Sequence, residues 1–142
     1  MSGAEELAAR DIRAFNDQDL HAKVAISSPD LEFVVPGATM HGLDEAAVFA
    51  RALWQAFPDG KITKVKQAAN GPWVAVEVTF TGTHDGTLHT PSGAIPASGR
   101  HVEFECVLAY EVVAERIVSK HFYFDRLELL TQIEAVPAPA EV

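Results

Sequence analysis

Apolar and polar residues alternate along two long runs in the C-terminal third, GRHVEFECVLAYEVV and RIVSKHFYFD, separated only by Ala114 and Glu115. Two alternating runs joined so tightly predict a β-hairpin, although Ala-Glu lacks the glycine or asparagine that two-residue turns favour. With Ala114 and Glu115 as the turn, Tyr110 faces Ser119, Leu108 faces His121, Cys106 faces Tyr123 and Phe104 faces Asp125. One face of the hairpin then carries Phe104, Cys106, Leu108 and Tyr110 with Ile117, Ser119, His121, Tyr123 and Asp125. It is mostly apolar with a few titratable groups set into it, which suits the wall of a ligand pocket. The other face carries Glu103, Glu105, Glu111, Arg116 and Lys120 with Val118, Phe122 and Phe124 among them, and reads as a partly wet exterior with an aromatic patch.

Upstream, Ser2 and Glu5 have the spacing of a capping box, and Ala8, Ile12 and Phe15 fall on one side of a helix running to about Asn16. Asp19 is placed to cap a short second helix through Val24. Leu31, Phe33 and Val35 alternate in a strand that stops at Pro36-Gly37. A third helix, with Asp44 as its expected cap, presents Ala46, Phe49, Ala50, Leu53 and Phe57, with Trp54 beside them, and ends at Pro58-Asp59-Gly60. Lys61 to Ala69 forms a polar-alternating strand, Asn70-Gly71 the expected turn, and Pro72 to Thr83 the next strand. On that strand Val74, Val76, Val78 and Phe80 share a face, and the alternation continues to His84. Residues 85–99, rich in Gly, Pro, Ser and Thr, read as a long loop or an irregular edge across the mouth of the fold, and Asp125 opens a final short helix with Leu127, Leu130 and Ile133 at helical spacing. The order predicts an α+β fold, with helices packed on one face of a curved, mostly antiparallel sheet to make a cone with an inside.

Length and charge narrow the picture. One domain is expected over residues 1–134, followed by a flexible tail, AVPAPAEV, over residues 135–142. Eleven Lys and Arg against 20 Asp and Glu give a net charge of −9, which argues against a nucleic acid or an anionic membrane as partner. No apolar run approaches the ~20 residues needed to cross a bilayer, and no signal-peptide pattern is present, so the expected location is cytoplasmic. Cys106 is the only cysteine, which excludes a disulfide framework and a thiolate zinc site. The six histidines include no closely spaced ligand pair, and the glycines follow no phosphate-loop pattern, so neither a metal nor a nucleotide is expected.

Five pieces in order, AFPDGKI, FTGTHDGTL, IPASGRHVEF, ERIVSKHFYFD and LLTQI, resemble the SnoaL-like polyketide cyclase family of the NTF2-like superfamily. The resemblance implies a cone-shaped fold and a cofactor-free aldol condensation or related isomerisation, a lyase-type chemistry on a hydrophobic, carbonyl-containing small molecule. It also implies that Asp125, ending the last long strand, is the general acid and base. The family's GTH segment corresponds to Gly82, Thr83 and His84, and its PTGR turn to residues 96–100. Departures are His121, where relatives often show Trp, Ala114-Glu115 in place of Asp-Gly, and Gln132-Ile133-Glu134 in place of Gln-Leu-Gly.

Read from the residues, Asp125 in an apolar cone would have its pKa raised toward neutrality, whereas the same residue type also caps helices at the surface. His121 lies four residues from Asp125, about 13 Å along the strand, so a histidine partner must come from elsewhere, and His84 is the better placed. Tyr123, Tyr110 and His121 are candidate donors to a developing enolate oxygen. Phe15, Phe33, Trp54, Phe57, Trp73, Val76, Val78, Phe80, Phe104, Cys106, Leu108 and Tyr110 are the expected pocket lining. The alternative is a non-catalytic small-molecule-binding or dimerisation module, with Phe122 and Phe124 as an interface patch. Either reading predicts a homodimer or a dimer of dimers.

Overall fold

The computed structural model describes residues 3–137, so the expected Ser2 cap and residues 138–142 of the tail lie outside the described residues. Helix α1 (Gly3–Asn16) turns its Leu7, Ala8, Asp11 and Phe15 inward. Helix α2 (Leu20–Ala25) starts at Asp19, whose carboxylate accepts the Ala22 N–H at 3.0 Å, as the sequence predicts. Strands β1 (Ser27–Val35) and β2 (Ala38–His41) form a hairpin whose second strand the pattern did not predict. Helix α3 (Gly42–Ala56) follows. Its N-cap is His41 rather than Asp44; Asp44 sits inside the first turn, and the Glu45 side chain accepts the His41 N–H at 3.2 Å.

Strands β3 (Lys61–Asn70) and β4 (Trp73–Thr83) pair through Asn70 and Trp73, so the turn residues are Gly71 and Pro72. The 85–99 segment forms a small ribbon, β5 (Leu88–Thr90) with β6 (Gly93–Ile95). Strands β7 (His101–Val113) and β8 (Arg116–Phe124) make the long hairpin, and α4 (Arg126–Gln132) closes the chain. The main sheet runs β2-β1-β8-β7-β4-β3, antiparallel except for the β1–β8 pair. Valines 74, 76 and 78 and Phe80, on β4, are buried against the helices, as their alternation requires. Among the described residues no helix is long and apolar enough to cross a membrane.

The hairpin contains the feature that decides which side chains face inward. Its turn is Ala114-Glu115, and Val113 pairs with Arg116 and Val112 with Ile117, as expected. The next pair, however, is Glu111 with Ser119, which leaves Val118 as an extra residue on β8. From this bulge outward Tyr110 faces Lys120, Leu108 faces Phe122 and Cys106 faces Phe124. A slip of one residue exchanges the two faces of a strand. Lys120, Phe122 and Phe124 therefore join the inner face, while His121 and Tyr123 are carried to the outer one. Tyr123 is 54% exposed and Phe122 only 5%.

The turn holds both central residues at positive φ, 50° at Ala114 and 60° at Glu115. This is the primed geometry that matches strand twist, reached here without glycine. Glu115→Gly is expected to raise stability by about 0.5–1 kcal/mol. Urea denaturation measures it, and a lower midpoint in the variant would contradict the strain argument.

Candidate active site

Inside the fold three polar side chains from three elements meet on one carboxylate, that of Asp11. Asp11 lies on the inward stripe of α1 between Leu7 and Phe15, so the packing that buries those apolar residues carries it into the interior. Lys23 comes from α2, Tyr110 from β7, and Lys120 from the part of β8 that the bulge turns inward. Lys23 Nζ donates to Asp11 Oδ1 at 2.7 Å, Lys120 Nζ to Oδ2 at 2.7 Å, and the Tyr110 hydroxyl to Oδ2 at 2.8 Å. The side chains are 5% exposed for Asp11, 13% for Lys23 and 12% for Lys120. Lys120 Nζ also stands 4.9 Å from the centre of the Phe33 ring.

Burial pushes the Asp11 carboxyl up, but the ammonium groups of Lys120 and Lys23 and their hydrogen bonds outweigh it and hold it well below the carboxylate range. Asp11 is ionised. Burial pushes Lys120 the other way, down to about 8; the attraction of Asp11 resists the shift and the charge of Lys23 adds to it. Burial and the Asp11 charge together hold the Tyr110 phenol well above its ordinary value, so it remains a donor. One carboxylate and two ammonium groups leave a net charge of +1 in an apolar setting whenever Lys120 is protonated.

Asp11, Lys23 and Lys120 line a cavity whose remaining wall is almost wholly apolar, from α1, α2, β1, α3 and β8. Phe15, Phe33, Phe49 and Phe122 are its aromatic members. It offers about 50 Å³ to the centres of water-sized molecules, which suits a compact guest rather than a fused polycycle.

The expected site residues are distributed differently. Asp125 is exposed and accepts the Glu128 N–H at 3.1 Å, so it is the N-cap of α4 and does not line the cavity. His121 Nδ1 and the Tyr123 hydroxyl are 3.0 Å apart on the outer face, moved there by the bulge. His84 is fully buried, but its Nδ1 accepts the Ser98 N–H at 3.2 Å and lies 2.8 Å from Ser98 Oγ, where it pins the 96–100 turn. The neutral ring then keeps its proton on Nε2, which has no partner among the described residues. Burial holds the His84 pKa below its ordinary value. The structure thus keeps Asp125, His84 and the His121–Tyr123 pair in separate surroundings.

Of the expected pocket lining, Phe15 and Phe33 face the cavity. Phe57, Val76, Val78, Phe80, Phe104, Cys106 and Leu108 are buried in the core beside it, and Tyr110 reaches it only through Asp11. The rings fill the cone with one another: Phe80 stands 5.2 Å from Phe104 and 5.4 Å from Phe57, centre to centre. Trp54 is half-buried, its indole N–H bonded to the Phe15 carbonyl at 3.0 Å, and Trp73 is 44% exposed. Burial raises the Cys106 thiol to about 12, which leaves it inert. Phe122 and Phe124, expected as an outer patch, lie inside. Among the described residues no three His, Cys, Asp or Glu side chains gather as a metal site.

Three of the four clustered residues, Asp11, Lys23 and Lys120, were not singled out from the sequence. The signals were a carboxylate at the centre of an apolar helix stripe, Leu7, Asp11 and Phe15, and a lone lysine among Val118, Phe122 and Phe124.

A curved six-stranded sheet with helices packed against it around a cavity is the NTF2-like architecture. Residues 6–133 match the family model of the SnoaL-like polyketide cyclases, and the chain belongs to that family. A proposed SnoaL-like polyketide cyclase from Jannaschia sp. CCS1 superposes with a TM-score of 0.84 at 20% identity, over 95% of this chain and 94% of that one. AclR, a proposed hydroxylase from Streptomyces galilaeus, gives 0.81 at 21% identity over 97% and 85%. A proposed polyketide cyclase from Xanthomonas campestris pv. campestris gives 0.81 at 21% over 92% and 96%. No curated protein matches the sequence significantly. The likenesses establish the fold, and they carry more than one activity label.

Proposed function

We propose that the chain is a cofactor-free acid–base enzyme that acts on a compact carbonyl compound, by cyclisation or isomerisation, at the Asp11–Lys23–Lys120 cluster. The observation that carries this reading is a pair of amines sharing one buried carboxylate at the wall of an apolar cavity, so that an ammonium remains at the site when Lys120 is neutral. Fixed cationic donors in a dry site favour a substrate oxygen on which negative charge develops. The Lys23 ammonium would donate to the carbonyl oxygen, and Lys120, titrating at about 8, would in its neutral form remove the proton from the neighbouring carbon and return it. Asp11 and Tyr110 fix the positions of both amines. Membership of a cyclase family supports the enzyme class. Asp125 has no part in the chemistry on this reading.

Proton exchange tests it. The carbon-bound hydrogens of 2-butanone, followed by NMR in D2O at pH 8, should exchange about 100-fold faster with the protein than in buffer, and Lys120→Met should remove the gain. Exchange no faster than in buffer, or acceleration that survives in the variant, would sink it. The small size of the cavity favours the second reading, a binding module, which predicts ligand-dependent stabilisation without exchange.

A further inference from the structure

We propose that Lys120 is a nucleophile that captures small ketones and aldehydes as an imine on its Nζ, making this an amine-dependent carbon–carbon bond-forming or bond-breaking site. The inference rests on the proposed function, carbonyl chemistry at this cluster, and reassigns the roles within it: Lys120 bonds the carbonyl carbon and Lys23 takes over the proton transfers.

The geometry supplies what such a step needs. Lys120 Nζ lines the cavity and is held at 2.7 Å from Asp11 and 4.9 Å from the Phe33 ring, so its stem is fixed. A second amine, Lys23, shares the same carboxylate at 2.7 Å on its other oxygen. An amine near a second cation in an apolar pocket loses its proton more easily, and only the neutral amine attacks carbon. With a pKa of about 8, roughly a tenth of Lys120 is neutral at pH 7, some hundreds of times more than for an ordinary lysine. The apolar wall disfavours the water that would reverse the capture.

The step balances without any further reagent. The Nζ lone pair forms a bond to the carbonyl carbon, and the C=O pair moves to oxygen, which takes a proton from the Lys23 ammonium. The nitrogen loses a proton to the now neutral Lys23. The hydroxyl then leaves as water with that same proton, and the nitrogen lone pair closes the C=N bond to give an iminium. The cation on nitrogen acidifies the adjacent C–H, whose proton leaves to the neutral Lys23 amine. The resulting enamine carbon can attack a second carbonyl in the same molecule. Hydrolysis returns the lysine, and nothing is oxidised or reduced.

The test is reductive trapping of the full chain. The protein is incubated with acetone and sodium cyanoborohydride from pH 6 to 9, and the adduct is mapped by peptide mass spectrometry. One isopropyl group is expected on Lys120, formed at pH 7 at least about tenfold faster than on Lys66, whose side chain is 77% exposed. Lys120→Arg, which keeps the cation beside Asp11 but cannot form an imine, should lose the adduct while retaining the parent's circular dichroism. Lys23→Met should move the midpoint of the pH dependence upward, because the like charge beside Lys120 is gone. Adducts spread over the exposed lysines, or an adduct rate unchanged in Lys120→Arg, would overturn the proposal. Accelerated 2-butanone exchange without trapping would overturn the imine and leave the acid–base reading standing, whereas absence of both would overturn the two together.

Discussion

Asp11→Asn is expected to lower stability by about 3–5 kcal/mol at pH 7. The amide has nearly the shape of the carboxylate but offers one acceptor oxygen where two ammonium groups and a phenol now donate, and its NH2 points a donor at a donor. Two buried cations lose their counter-charge. Part of the loss will be relieved as Lys120 gives up its proton, so the variant should also show a lower Lys120 midpoint. Urea denaturation across a pH series measures the effect, and a difference below about 1 kcal/mol would mean that the cluster is hydrated rather than buried.

The pH dependence has a definite sign. The folded-state pKa of Asp11 lies below the ordinary 3.8, so the unfolded chain takes up that proton first as acid is added. The contribution of Asp11 is complete above about pH 4 and is lost as the pH falls toward the folded value, so parent and variant converge in acid. Lys120 acts on the alkaline side. Its folded value of about 8 lies below the ordinary 10.5, so the folded chain releases the proton first and stability rises with pH between those values.

Gly86→Ala is the second large effect expected, about 3 kcal/mol or more of destabilisation. A Cβ built on Gly86 would stand 1.8 Å from the Gln55 carbonyl oxygen and 2.9 Å from its carbon, both backbone atoms at the end of α3. The Gly86 N–H donates to the Ala56 carbonyl at 3.1 Å, so the two segments cannot separate without losing that bond. The variant should also be cut faster by proteases within residues 85–99. A stability within about 0.5 kcal/mol of the parent would show that this loop is not clamped to the helix.

The fold was legible where periodicity and burial agree. Val74, Val76, Val78 and Phe80 mark β4 because one face of that strand is covered by helices, and Asp19 marks the start of α2 because its side chain satisfies a free N–H. The Ala114-Glu115 turn was found from strand lengths alone. The inner face of β8 was not legible, because Val118 is an ordinary strand residue and nothing in its chemistry announces an extra position. That one residue sent His121 and Tyr123 outward and brought Lys120 in. The same limit governs Asp125, whose strand-end position fits a catalytic acid and a helix cap equally well until its surroundings are known. Asp11 was hidden differently: its partners are Lys23, Tyr110 and Lys120, and two of them lie about a hundred residues further along the chain.

That separation bears on the order in which the chain can assemble. Strand β1 has β8 as its parallel neighbour, so the N-terminal strand finds its interior partner only when residues 116–124 are available. During synthesis α1, α2 and the β1–β2 hairpin would emerge first, with their apolar sides uncovered and the Asp11 carboxylate still in water. Joining the two ends requires closing a loop of most of the chain, the kind of late, non-local contact that slows folding. The ionic cluster is thus a group completed only by the final strand, and a chain stopped before Lys120 would lack both the site and the seam that closes its sheet.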